Sequence, residues 1–177
     1  MPGVRLPIET EHLVIRPLRL VDAVELHELY SDAEAMRFLE ANVPTTVAES
    51  EEWVQSKIDL FERDDGLSLW AVVERETGAV VGDAGLQWER YDGKVLDLGC
   101  RLIRRYWGRG YATEASRAAL AAGFRDLGVA RICAATHVDN DRAHRVLESL
   151  GGERLRVIHV YGMDMALYQF ANPRAQA

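Results

Sequence analysis

The sequence predicts an α/β fold built on a mixed, mostly antiparallel sheet of six to seven strands with helices on both faces, and three observations carry that prediction. Leu67 to Glu74, Ala79 to Trp88 and Val95 to Ile103 are apolar runs separated by turn signals at Glu76-Thr77-Gly78 and Asp92-Gly93, which reads as a three-stranded meander. The third run leads through a glycine-containing loop into an Ala-rich helix, Tyr111 to Leu127, and then another strand, Arg131 to Val138. That order needs a crossover, so the two strands should be parallel. Capped, amphipathic helical segments precede the meander.

Taken in order, Thr10 to Arg16 reads as a first strand, stopped by Pro17. Asp22 with Glu25 opens a helix whose inward stripe is Ala23, Leu26, His27 and Tyr30, where His27 fits a hydrogen-bonded core position better than a ligand. Ser31 or Asp32 starts a second short helix carrying Met36, Phe38 and Leu39, which must end before Pro44. Thr46 with Glu49 forms a capping box for a third, running to about Arg63 with Val47, Val54, Ile58 and Phe61 at helical spacing. In the strand from Val95 to Ile103, Leu96, Leu98, Cys100 and Leu102 fall on one face, and Asp97, Gly99 and Arg101 on the other. Gly128 stops the Ala-rich helix. Asp139 or Asp141 caps a last helix with Ala143, Val146, Leu147 and Leu150 inward, ended by Gly151-Gly152. Two strands, Arg154 to Tyr161 and Met163 to Phe170, complete the sheet.

A chain of 177 residues with 48% hydrophobic and 28% charged residues is expected to form one domain over 1–177. No run reaches the roughly 18 apolar residues of a membrane span and no signal-peptide core opens the chain, so the expected location is the cytoplasm. Cys100 and Cys133 fit reduced, buried positions, and the five histidines show no metal-ligand spacing. A net charge of -7 speaks against nucleic acid and is compatible with a cationic acceptor such as an amine.

Against that charge, the stretch from Arg101 to Arg109 carries Arg101, Arg104, Arg105 and Arg109 around Gly108 and Gly110. Glycines let the backbone approach a ligand, and the first-turn amides of the following helix favour an anion. A solvated arginine cluster is the bland alternative. A dinucleotide fingerprint fits less well, because Thr113 stands at its third glycine position and Asp139 lies too far along for its acidic residue. Arg105-Tyr-Trp-Gly108-Arg-Gly110 resembles the R/Q-x-x-G-x-G/A pyrophosphate loop of the GNAT superfamily of N-acetyltransferases. Thr10 to Leu18, Trp107 to Ala115, and Asn140 with Val146 to Gly151 resemble its Rim-type branch, named for ribosomal-protein N-terminal acetyltransferases.

The resemblance implies acetyl-CoA as co-substrate and an amine acceptor, either a peptide N-terminus or a small molecule such as an antibiotic, amino acid or polyamine. It leaves room for a homodimer. The cofactor arm would lie in a V between the strand ending at Ile103 and the strand from Arg131, against the Leu102 and Ile103 backbone and the Asn140 side chain. The pyrophosphate would sit on the loop from Arg105 through Gly108, Arg109, Gly110 and Tyr111 to Ala112. Asp97 stands where Rim-type enzymes often carry Glu and is the candidate base, with a solvated or ion-paired strand carboxylate as the competing reading. Met36, Phe38 and Trp53 would fall on the acceptor side, where core packing is the commoner role. Ala143 and Leu147 replace the family's usual proton donors, which keeps open a binding or sensing role.

Overall fold

Eight strands form one sheet in the order β1-β2-β3-β4-β5-β6-β8-β7. The computed structural model describes residues 3–39, 43–91 and 93–175. The strands are β1 (Ile8–Glu9), β2 (Leu13–Arg16), β3 (Ser68–Glu74), β4 (Val80–Arg90), β5 (Lys94–Leu102), β6 (Arg131–His137), β7 (Glu153–Val160) and β8 (Met163–Ala171). Every neighbouring pair is antiparallel except β5 with β6. The strand beyond the expected seven is β1, whose two residues are too few to show alternation. β2 begins at Leu13 rather than Thr10 because the Thr10 amide and hydroxyl both donate to the Leu13 carbonyl and close a turn there. Of the Asp92-Gly93 turn, Asp92 lies outside the described residues.

The helices are α1 (Ala23–Tyr30), α2 (Val47–Arg63), α3 (Tyr111–Ala122) and α4 (Asp141–Ser149). Thr46 and Glu49 close their capping box in both directions, at 3.2 and 3.0 Å. Asp22 does not cap α1. It accepts two hydrogen bonds from the Arg16 guanidinium at 2.8 Å each and one from the Arg19 amide at 2.8 Å, an ion pair that outcompetes the helix end for its oxygens. The short helix expected after Ser31 is a series of turns, since Asp32 Oδ1 takes the amides of Glu34 and Ala35 and so offers the backbone a local alternative to a helical ladder. α3 continues as a single wide turn over Gly123–Leu127 and stops at Gly128 in the left-handed region, φ 63°. Asn140 caps α4, its Oδ1 accepting from the Ala143 amide at 3.2 Å, in place of Asp139 or Asp141.

Cross-strand register puts Asp83, Gly85, Gln87 and Glu89 of β4 on the same face as Arg101, Gly99, Asp97 and Val95 of β5. α1 and α2 cover this face, with Tyr30 and Trp53 packed over Arg101. α3 and α4 cover the other: the Cys100 thiol reaches the Ala112 carbonyl, and His144 meets Tyr168. The main core runs through both layers, while Cys133, Ile158, Met165 and Leu167 form a smaller cluster on the α1/α2 side of the β6-β8-β7 half.

β5 and β6 share one registered pair, Asp97 with Cys133. Beyond it the two strands part.

Candidate active site

The backbone of β5 dictates what the gap offers. The Ile103 amide donates to the Val81 carbonyl at 2.9 Å, so antiparallel alternation turns Asp97, Gly99, Arg101 and Ile103 toward β4 and leaves Leu98, Cys100 and Leu102 facing β6. Of the two backbone positions expected to meet a cofactor arm, Ile103 is thus committed within the sheet. Leu102 keeps its amide toward the gap, but its carbonyl accepts from Trp107 Nε1 at 2.9 Å. That indole fixes the start of the loop to the end of the strand, and the Arg142 guanidinium stacks on it 3.6 Å from the ring centre. Neither contact is visible in the sequence pattern.

After β5, Arg104 to Tyr106 make one tight turn in which the Tyr106 and Trp107 amides donate to Ile103 and Arg104 at 2.9 and 3.0 Å. From Gly108 through Thr113, no amide has a backbone partner among the described residues. The expected cradle therefore narrows to Gly108, Arg109, Gly110, Tyr111, Ala112 and Thr113. Gly108 and Gly110 hold φ of 77° and 80°, and a Cβ at either would meet nothing within 4 Å. The space a side chain would take at either glycine is open.

The arginines are arranged differently from the sequence expectation. Arg101 lies on the α1/α2 face, paired with Asp83 at 2.9 and 2.6 Å, and adds nothing to the loop. Arg104 pairs with Asp32, Arg105 with Glu28, and Arg109 with Glu74. Glu74 also accepts from the Tyr111 and Thr77 hydroxyls at 2.7 and 2.6 Å, bonds that hold its carboxyl below the usual range. A phosphate entering this loop would meet cations already oriented by carboxylates.

Asp97 stands where β5 and β6 part, 8% exposed and facing Gln87 in register. Burial raises its pKa well above the usual carboxylate value. The Tyr91 hydroxyl and the Ala135 amide oppose that shift, and the Glu89 charge adds to it. Oδ1 has no hydrogen-bond partner among the described residues. A carboxyl in this state accepts a proton more readily than an ordinary aspartate.

The remaining candidates fall into structural roles. Glu114 takes bonds from Thr10, the His12 amide and the His12 ring at 2.5, 2.8 and 2.9 Å, tying the first turn of α3 to the β1-β2 connection. His144 is fixed between the Tyr168 hydroxyl at 2.7 Å and the Val138 carbonyl at 3.0 Å, under α4. Burial pushes the Cys100 thiol up to about 12, far from a nucleophile's range. Met36 is 2% exposed within the core. Phe38 instead stacks on His137 at the end of β6, ring centres 4.9 Å apart, and Trp53 stacks on Tyr30 at 5.2 Å.

A parted parallel pair, a bare-amide loop at a helix N-terminus and a buried carboxyl between them form one continuous arrangement. Residues 12–153 match the family model for the acetyltransferase (GNAT) domain. The chain belongs to the GNAT acetyltransferases. It is similar to the uncharacterised N-acetyltransferase YoaA of Bacillus subtilis, 24% identical over 173 residues that cover 94% of this chain and 97% of that protein. The solved structure of a GNAT-family acetyltransferase from Bacillus anthracis has a TM-score of 0.80 at 24% identity, covering 94% of this chain and 99% of that one. The ribosomal-protein-S5-alanine acetyltransferase of Vibrio fischeri has a TM-score of 0.76 at 20% identity over 96% and 98%. The GNAT fold expected from the sequence is thus the fold observed, and membership places the chain among transferases of N-acetyl type.

Proposed function

We propose that this GNAT chain transfers an acetyl group from acetyl-CoA to a primary amine, with both substrates bound together. The observation that carries the reading is the parting of β5 and β6 beyond Asp97 and Cys133, together with amides from Gly108 to Thr113 that lack backbone partners among the described residues. Strand edges and bare amides suit an amide-containing arm and a pyrophosphate. In this reading the amides of Gly108, Arg109, Gly110, Tyr111 and Ala112 hold the phosphates, with Arg105 and Arg109 exchanging their carboxylates for them. The Leu102 amide and the Asn140 side-chain NH2 hold the arm; Asn140 Oδ1 is already used by its cap.

When bound, acetyl-CoA supplies an activated acetyl carbonyl that the neutral amine attacks as the thiolate leaves. Asp97 takes the proton that the acceptor's ammonium must lose, directly or through water, and its raised pKa suits that task. The Cys100 amide, turned toward the gap, is placed to stabilise a developing oxyanion. Ala143 and Leu147 cannot donate, and His144 is held by Tyr168. Between ammonium and amide the nitrogen loses two protons: one is relayed by Asp97 to the departing sulfur and the other leaves to solvent, so the balance closes without a separate acid. The missing donors at Ala143 and Leu147 are also the one specific observation favouring a sensor that binds without turnover.

The acceptor expected from the Rim-type loop is a peptide N-terminal amine, with small amines as the other class. Reduced thiols at Cys100 and Cys133 support a cytoplasmic setting for one catalytic domain spanning 1–177. Calorimetric titration with acetyl-CoA, paired with acceptor-dependent thiol release, tests the reading. Binding with turnover supports it, binding without turnover for any amine supports the sensor, and no binding removes both.

A further inference from the structure

Among the described residues, the buried side-chain polar atoms without any partner are Trp53 Nε1, Gln87 Oε1 and Asp97 Oδ1. Trp53 lies apart from the other two, stacked on Tyr30 with its ring 5.4 Å from the Arg101 guanidinium. Gln87 and Asp97 face each other directly across the β4-β5 ladder. Side chains so placed start about 4.5–5.5 Å apart at Cβ, within reach of one another. Both orphaned atoms are acceptors. Buried acceptors are ordinarily paired, and two that face each other lack one thing, a hydrogen between them.

The orientation of the Gln87 amide is set from its other end. Gln87 Nε2 donates to Glu89 Oε1 at 2.7 Å, and the Tyr161 hydroxyl donates to Glu89 Oε2. An ionised carboxylate only accepts, so it must meet the NH2 of the amide and leaves Oε1 for the opposite side. Tyr161 reaches Glu89 from the turn between β7 and β8, where it holds φ 54° ahead of Gly162 at φ 70°. The left-handed region is unfavourable for a bulky residue, and such strain persists only where surrounding contacts hold it. Tyr161, Glu89 and Gln87 thus form one chain of hydrogen bonds that starts on the β7-β8 hairpin and ends opposite Asp97.

We propose that Gln87 positions the proton that Asp97 carries: the protonated carboxyl donates from Oδ1 to Gln87 Oε1, and Glu89 with Tyr161 keeps the amide oxygen turned to receive it. No cavity is needed, because the hydrogen is all that is placed between the two oxygens. In turnover, which rests on the transferase reading above, an N–H bond of the acceptor breaks as O–H forms on Asp97. The proton waits against Gln87, and O–H then breaks as S–H forms on the departing thiolate. An ionised Asp97 would face the Gln87 lone pairs and the Glu89 charge, in line with its raised pKa. The other ionisable groups on this face are Tyr91 and Cys133 beside Asp97, Asp83 bound to Arg101, His137 under Phe38, and Lys57 of α2, whose carbonyl accepts from Ser68 Oγ on β3. None of them donates to Gln87 Oε1.

The test reads the Asp97 carboxyl itself by carbon-13 NMR on protein carrying labelled aspartate, its resonance identified by its absence from Asp97→Asn. The titration midpoint should lie above about 3.9 in the wild type. Gln87→Met keeps the length of the side chain and removes the acceptor, so the midpoint should fall by about 0.5–1 pH unit, the worth of one neutral hydrogen bond. Gln87→Glu sets a second carboxylate opposite and should raise it. The acid limb of acetyl-CoA-dependent thiol release should move in the same directions by the same amounts. A merely structural Gln87 would change rate or stability without moving either midpoint. Coincident midpoints in wild type and Gln87→Met overturn the inference. So does a rise in Gln87→Met, which would mean that a water donates to both oxygens and holds Asp97 ionised. Should Gln87→Met not fold, Gln87→Glu decides alone, a midpoint at or below wild type overturning the inference. Opposite shifts in the two variants, with no thiol released for any amine, would leave the proton in its place and bring down only the transferase reading.

Discussion

Replacing Gly110 with Ala separates the chemistry of the loop from its folding. Gly110 holds φ 80° and ψ 3° at the start of α3, and an added Cβ would touch nothing within 4 Å. The effect on the free protein is therefore conformational alone, about 1–2 kcal/mol for an L-residue in the left-handed region. Gly128, at the other end of the same helical run, has φ 63° and equally open surroundings, so Gly128→Ala should destabilise by a similar amount. In the proposed complex the phosphates come onto the Gly110 backbone itself, where the Gly110→Ala methyl adds bulk that the open glycine lacks. Holding one phosphate oxygen off loses a charge-assisted hydrogen bond of about 1.5–3 kcal/mol, which is roughly a 10- to 150-fold loss of affinity. Urea denaturation and acetyl-CoA calorimetry on both variants form the assay. Parallel losses of stability with a loss of affinity only in Gly110→Ala are expected. If Gly110→Ala binds as tightly as Gly128→Ala, the phosphates do not lie on this loop.

The sign of the Asp97 effect is fixed by its raised folded-state pKa. Its contribution to stability is fully present below the unfolded carboxylate value, about 3.9, and is lost as pH rises through the folded value. Asp97→Asn does not titrate, so it should melt increasingly above wild type from about pH 4 upward, while thiol release slows and its pH dependence flattens; coincident melting curves would show that Asp97 is solvated. Asp83 is 0% exposed and binds both Arg101 and Tyr30, so Asp83→Asn strands a buried cation and should lower stability by about 3–5 kcal/mol in denaturant titration. A loss below about 1 kcal/mol would mean that the Arg101 charge is screened by solvent as a surface pair would be. Trp107→Phe removes the donor to the Leu102 carbonyl but keeps a ring under Arg142, so about 1 kcal/mol should be lost with the fold intact. No measurable change would show water replacing the indole.

What could be read from the sequence was what repeats or caps. The alternation of Leu96, Leu98, Cys100 and Leu102 gave the faces of β5 correctly, and Thr46 with Glu49 gave the start of α2, because both signals are local. The loop at Gly108 and Gly110 was legible for the same reason. Arg101 was misjudged because proximity in sequence to three loop arginines says nothing about which face of the sheet a side chain takes when Asp83 waits across the ladder. The turns at 32–39 were read as helix because spacing alone does not reveal that Asp32 captures two backbone amides. The Gln87 partner of Asp97 was not legible: a two-residue turn at Asp92 and Gly93 would set Leu98 opposite Gln87, whereas the observed register pairs it with Asp97.

The single pair between Asp97 and Cys133 makes the sheet two plates hung on one rung. On the α3/α4 side a continuous core bolts the plates together; on the other side a smaller cluster, with Val95 of β5 and Tyr91 packed against it, joins them. An arm lying between β5 and β6 would act as a splint, filling in rungs that the polypeptide leaves out. Saturating acetyl-CoA at about a hundred times its Kd would then add about 2.7 kcal/mol to global stability. Much of that gain would be felt as stiffness across the joint, where Phe38, in the turns after α1, leans on His137 at the end of β6.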